Sequence, residues 1–238
     1  MLRRCLRALS VQTRTADEVI VVDNASTDES GQVAADADAI VVRCDALGIP
    51  AASAEGYDRA TGEIILRLDA DCVPDDTWIH TMQQAFQADP GAAAFTGGAR
   101  FVDGPRILRA PLATAYLGAY AVIGFAALGH IPLFGSNMGF RRAAWRSVRL
   151  LAHRTSGIHD DFDLAFHLGE HYRIRRVPLA PMGMSMRALR DASGFARRVR
   201  RGFVTVLMHW PHDFPPVRWE RRALRRMISR RTGRGRIE

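Results

Sequence analysis

GEIILRLDAD, residues 62–71, is the stretch whose reading decides the fold. An apolar run from Ile64 to Leu68, interrupted by Arg67, ends in two aspartates one residue apart. Such a run reads as a buried strand. Asp69 and Asp71 then fall at its carboxyl end, where open α/β sheets bind ligands. In extended backbone both carboxylates reach one region, and they repel unless a cation lies between them. Mg²⁺ or Mn²⁺ suits this pair, because one or two protein carboxylates plus substrate phosphates complete the shell of such a hard cation. A calcium loop would need Gly at its sixth position and Glu at its twelfth, where Pro74 and His80 stand. A solvated Asp-rich turn is the bland alternative, and the tripeptide alone does not separate the two.

The same rhythm extends in both directions. Leu2, Leu6 and Leu9 share a face and mark a helix over 2–12. EVIVVDNASTD, 18–28, holds a β-branched strand that ends in a polar loop able to cap a helix. AIVVRC, 39–44, reads as a strand, and 50–61 as a helix that Gly56 weakens. PDDTWIHTMQQAFQADP, 74–90, is an amphipathic helix, and 92–102 a further strand. FGSNMGFRRAAW, 134–145, reads as a loop leading into a helix. HDDFDLAFHLGEH, 159–171, is a helix opening with acids, where the macrodipole favours them, and 172–181 is a strand. Strands alternating with helices predict an α/β fold with a doubly wound, mostly parallel, Rossmann-like sheet.

A chain of 238 residues, 47% hydrophobic, can bury one sizeable core. Its formal charge of +8 is unevenly placed: residues 187–238 hold 15 Arg against 4 acids, net +11, which leaves the rest at −3. Two parts follow, a mildly acidic domain over 1–190 and a basic helical tail over 191–238. Arginines interleaved with Phe195, Phe203, Leu207, Trp210 and Trp219 suit an anionic membrane surface better than a base-reading groove. The expectation is peripheral attachment at the inner face of the plasma membrane, with no specific nucleic acid. Cys5, Cys44 and Cys72 have neither disulfide-framework nor zinc-ribbon spacing, which fits a reducing, cytoplasmic setting. The N-terminus has no long apolar run and is no secretory signal. Residues 110–129 are long enough to span a bilayer, but a single crossing would part Asp69 from Asp161, so a buried or interfacial helix is expected.

Two further segments carry chemistry. At the end of the 18–28 strand, Asp23 and Asn24 stand where acidic residues accept hydrogen bonds from a base or ribose. In HDDFDLAF, Asp160 and Asp161 offer a carboxylate at a fixed place, as a general base requires. HLGEH, 167–171, matches one class of zinc peptidase motif. Gly169 weakens that helix and no third ligand follows, so the segment reads as a helix end.

Four blocks in order, LRALSVQTRTADEVIVVDNASTD, GIPAASAEGYDRATGEIILRLDAD, FGSNMGFRRAAW and HDDFDLAFHL, resemble the inverting glycosyltransferase family 2, with its GT-A fold, over roughly residues 5–190. The resemblance implies a nucleotide-sugar donor and a lipid-linked or saccharide acceptor in cell-envelope, polysaccharide or glycolipid synthesis. It assigns nucleotide contact to Asp23, Asn24 and Asp69, and the metal and diphosphate to Asp69 and Asp71. Asp161 becomes the base, with Asp160 in place of the family's usual Glu, and Asn137, Arg141 and Asp160 shape the acceptor side. The family's opening strand and Asn-Glu turn have no counterpart, because Met1 starts inside the first helix; roughly 15–20 residues are missing by ordinary element lengths. The stretch PMGMSMR supplies no His where many members carry one. The rival readings are a nucleotidyltransferase with a similar metal site, and an inactive, polyanion-binding relic of the family.

Overall fold

The computed structural model describes residues 1–187 and 192–231. The acid-tipped strand forms as β3, Ile64–Arg67. Before it come α1 (Leu2–Ser10), β1 (Ile20–Asp23), α2 (Ser30–Ala35), β2 (Ile40–Arg43) and α3 (Ile49–Arg59). After it come β4 (Val73–Pro74), α4 (Trp78–Ala88), β5 (Ala92–Phe101), α5 (Arg106–Leu128), β6 (Met138–Arg141) and α6 (Arg142–Val148). The chain continues through α7 (Asp160–His171), β7 (Arg173–Met184), α8 (Ala192–Met208) and α9 (Pro215–Arg231). The expected boundary between domain and tail, 190/191, and residues 232–238 lie outside the described residues.

The fold is α/β, but its larger sheet is mixed where a mostly parallel one was expected. Its order is β3-β6-β5-β7-β4. Only β5 and β7 run parallel in it; the other neighbours are antiparallel. The difference comes from β6 and β4. Met-Gly-Phe-Arg is too short, and its glycine too typical of loops, for strand periodicity to show, so 134–145 reads as loop and helix. In the structure those residues enter antiparallel between β3 and β5. Ile64 pairs with Arg141 and Arg67 with Met138. This register sets the loop before β6 beside the carboxyl end of β3.

Alternation along β5 divides the core. Ala94 joins Tyr57, Phe140, Trp145, Phe162 and Phe166 beneath α3, α6 and α7. Phe95 joins Trp78, Met82, Phe86 and Met182 beneath α4. Successive residues of a strand face opposite sides, so the sheet is covered on both.

The strands β1 and β2 form a separate parallel pair. A cavity of about 360 Å³ lies between β1 and β3, lined by Val19, Ile20, Ile64, Leu66, Leu68 and Trp78 among others. Glu18, which also lines it, accepts hydrogen bonds from the backbone N–H groups of Thr61 and Gly62, at 2.7 and 2.9 Å.

The apolar 110–129 segment lies within the 23-residue helix α5, which ends on Gly129 in the left-handed conformation (φ 74°) that glycine adopts without strain. It is not a core helix: Ala113, Gly124 and Leu128 are buried, while Ile107, Val122 and Ile123 are largely exposed. Its length and composition would allow it to cross a membrane. The tail is docked in part. Arg218 is fully buried, donating to the carbonyls of Leu128 and Phe166 at 2.9 and 2.7 Å and pairing with Asp213.

Candidate active site

Three elements converge on one group of acids. The end of β3 delivers Arg67, and Asp69 and Asp71 follow it. The first turn of α7 delivers Asp160 and Asp161. The loop before β6 lies between them. Arg67 ties the group together: its guanidinium is 3.0 Å from Asp69 and 3.4 Å from Asp160. Burial works against that charge, but the carboxylates of Asp160 and Asp69 hold Arg67 firmly protonated. Ser136 donates to Asp69 at 2.5 Å, and Ser53 of α3 donates to Asp160 at 2.7 Å.

Asp161 is buried, yet well served by donors. Its Oδ2 accepts from the Gly135 N–H at 2.7 Å, and its Oδ1 accepts from the N–H of Phe162 at 2.8 Å. The Tyr120 hydroxyl of α5 donates to the Leu133 carbonyl at 2.5 Å and lies 3.4 Å from Asp161. Burial, then the neighbouring charge of Asp160, raises the pKa of Asp161 above the usual carboxylate value, against His159, Arg67 and the Gly135 N–H. Gly135 is required by space: a Cβ there would lie 1.6 Å from the Arg67 guanidinium and 2.9 Å from Asp161.

Asp69 and Asp71 remain partly exposed, and with Cys72 they bring one donor atom each within 4.8 Å of one another. Burial, then Asp69, pushes the Cys72 thiol up to about 12, and a soft sulfur donor does not suit Mg²⁺ or Mn²⁺. What remains is a pair of carboxylates, the oxygen donors that Mg²⁺ and Mn²⁺ prefer. Asp71 meets Arg187 at 3.2 Å.

The other expected site residues divide. Asp23 stands at the end of β1, partly exposed, and its carboxylate accepts from Ser26 N–H at 2.9 Å. Hydrogen bonds from Ser26 lower its pKa. Asn24 has its amide engaged at both ends, donating to Cys44 and Ala46 carbonyls and accepting from Gly48 N–H. It holds the 44–48 loop. The expectation that Asn137 and Arg141 shape the acceptor side does not match where they lie. Asn137 is 0% exposed, and its amide is bound to Trp78, Gly98 and Ala180. Arg141 sits at the far end of β6, bonded to Glu63 and to the carbonyls of Phe86 and Ala92. Both are framework. Their surroundings explain this: a buried amide needs internal partners, and the β6 register carries Arg141 away from Asp69.

Sequence reasoning missed Arg67, Ser136 and Tyr120. Arg67 had a signal, a lone charge inside an apolar strand, since buried charges are paired. Ser136 and Tyr120 had none. His171, of the HLGEH segment, is exposed, and Glu170 is paired with arginines of α9.

The sequence profile of Glycosyl transferase family 2 matches residues 1–149, more than half of the chain, and the chain belongs to that family. Glucosyl-3-phosphoglycerate synthase from Mycobacterium tuberculosis, solved with Mn²⁺, UDP-glucose and phosphoglyceric acid, is 18% identical. It superposes with a TM-score of 0.59 over 87% of this chain and 74% of its own. The same enzyme with phosphoglyceric acid alone gives 0.60 at 18% identity, with the same coverage. A further mycobacterial protein gives 0.61 at 21% identity over 87% of this chain and 69% of its own. At these identities the likeness establishes the GT-A fold. No curated protein matches the sequence.

Proposed function

We propose that this transferase moves a sugar from a nucleoside diphosphate sugar to an acceptor hydroxyl by a single in-line displacement, with Asp161 as the base. The observation that carries this is the Arg67 bridge, which puts Asp69 and the first turn of α7 one side chain apart. Donor diphosphate and acceptor hydroxyl then meet in the same space.

Asp161 accepts the acceptor's proton. Its raised pKa makes it a better base than an exposed aspartate, and the N–H groups of Gly135 and Phe162 fix its orientation. Asp160 holds Arg67, and Arg67 holds Asp69. Asp23 contacts the nucleotide from the end of β1, with Asn24 fixing the loop beside it. Asp69 and Asp71 would hold a divalent cation, Mg²⁺ or Mn²⁺. When bound, that ion supplies Lewis-acid stabilisation to the departing diphosphate. Attack opposite the leaving group inverts the anomeric centre.

A lipid-linked or saccharide acceptor is favoured by α5, which brings Tyr120 to Asp161 while leaving Val122 and Ile123 exposed. The Mycobacterium tuberculosis enzyme was solved with UDP-glucose and phosphoglyceric acid. A UDP-sugar donor is the corresponding first candidate here. Exposed Phe195, Phe203, Leu207 and Trp210 among the arginines support attachment to an anionic membrane at the cytoplasmic face.

Thermal stability with UDP, GDP and dTDP, each with and without Mn²⁺, tests the donor site beside Asp71→Ala. One nucleotide should give a metal-dependent rise that the variant loses. No rise with any nucleotide would overturn the donor reading.

A further inference from the structure

Outside the acidic site, three histidines and an aspartate form a second cluster. His153 lies in the loop before α7. Asp163 and His167 stand one turn apart on α7, on the same face by their i, i+4 spacing. His209 follows the last turn of α8. One donor atom from each lies within 4.8 Å of all the others. The Asp163 and His209 side chains are 2% and 3% exposed.

The chemistry inside the cluster is unbalanced. His209 Nδ1 lies 2.7 Å from the Thr205 carbonyl oxygen, which can only accept, so Nδ1 carries the proton. In the neutral ring Nε2 is then a bare lone pair. It points at Asp163 Oδ1 from 3.3 Å. His167 Nε2 faces the same oxygen from 3.6 Å. Both Nε2 atoms are buried, and neither has a hydrogen-bond partner among the described residues. His153 Nδ1 is 2.7 Å from that oxygen too, while its backbone N–H fixes Asp163 Oδ2 at 2.9 Å. Three imidazoles thus crowd one carboxylate oxygen. His209 Nε2 and Asp163 Oδ1 are two acceptors facing each other in a buried space, and they repel unless something positive lies between.

We propose that His153, Asp163, His167 and His209 bind a zinc ion that fastens the C-terminal helical segment to the helix carrying Asp161. Three imidazole nitrogens and one carboxylate oxygen are donor types that Zn²⁺ binds, and four of them close a tetrahedral shell. Neighbouring ligand atoms around tetrahedral zinc stand about 3.3 Å apart, given its 2.0–2.1 Å bonds. Two of the nitrogen–oxygen separations already match this within a few tenths of an ångström. The His209 Nδ1–H to carbonyl bond is the outer contact that fixes the tautomer of a metal-bound imidazole. The site shares no residue with Asp69 and Asp71, and nitrogen donors distinguish its metal from theirs.

The test uses the untagged full chain, stripped of metal and loaded with Zn²⁺ or, as a visible probe, Co²⁺. After dialysis one equivalent of zinc should remain in the parent protein and in Asp71→Ala. Co²⁺ should give the strong visible absorption of a tetrahedral site in both. His167→Ala and the more exposed His153→Ala should each lose zinc retention at least tenfold. Zinc should raise the melting temperature of the parent and of Asp71→Ala, but not of His153→Ala. Because His153 is partly solvent-facing, its variant is the one that keeps the fold for comparison, with circular dichroism as the check. Absence of retained zinc and of tetrahedral Co²⁺ absorption would mean that protons alone balance the cluster, and would overturn the proposal. So would retention that survives both histidine variants and vanishes in Asp71→Ala.

Discussion

The protonation of Asp161 is controlled by its neighbour. Burial and the Asp160 charge raise its pKa, and in the proposed role of base it must be ionised to act. Removing the Asp160 charge therefore lowers that pKa. In Asp160→Asn the acid limb of the kcat/KM profile should move to lower pH, whatever happens to the maximal rate. Asp161→Asn should retain the fold and lose about 10²- to 10⁴-fold in turnover, the usual worth of a positioned base, measured with the donor that the stability screen selects. Arg67 is a different case. It is the buried cation between Asp69 and Asp160, and Arg67→Leu leaves both without it. About 3–5 kcal/mol of stability should go, read from urea midpoints. His130 gives a pH signature. Its Nδ1 donates to the Ile131 carbonyl at 2.9 Å, Nε2 faces Arg218 at 3.3 Å, and burial lowers its pKa to about 3. The unfolded chain, with an ordinary histidine near 6.5, binds the proton first. The stabilisation is present above about pH 6.5 and drains away as pH falls toward 3. Melting temperature against pH should show that slope, and His130→Asn should flatten it.

At the scale of elements, α5 separates packing from surface. Val122 and Ile123 are exposed on a helix whose inner side reaches Asp161 through Tyr120. Replacing both with Glu should change thermal stability by no more than about 0.5 kcal/mol each, as for other surface positions. The same change should weaken flotation with anionic vesicles. Equal failure of the parent protein to bind anionic and neutral vesicles would rule out the membrane reading. The strands and helices with strong periodicity, β1, β2, β3, α4 and α7, were legible from the residues alone. β6 was not, because four residues with a central glycine look like loop until β3 and β5 pair with them. The carboxylates were legible because strand ends and a helix start announce them. What lay hidden was the long-range wiring: Ser136 to Asp69 spans 67 residues and Tyr120 to Asp161 spans 41. Nothing local encodes such a pair. The same holds for Asn137, expected on the acceptor side, whose partners Trp78, Gly98 and Ala180 are distant in sequence.

For the whole molecule, the division of strands into two sheets matters most. The β1–β2 pair carries Asp23, while the larger sheet leads to Asp69 and Asp71. Among the described residues no ladder joins β1 to β3; helix α3 packs on β1, where a Cβ on Gly56 would come within 3.0 Å of Val22. Amide exchange should therefore be faster in β1 and β2 than in β5 and β7, which pair along nearly their full length. The same seam has a calorimetric consequence. With no strand ladder across it, the two sheets should melt in separate steps, and the van't Hoff enthalpy should then fall below the calorimetric one. A nucleotide that touches Asp23 on one side and Asp69 on the other would couple the two units, and the enthalpies should converge as it saturates. The ratio of the two enthalpies then measures whether the donor spans the seam, before any product is formed.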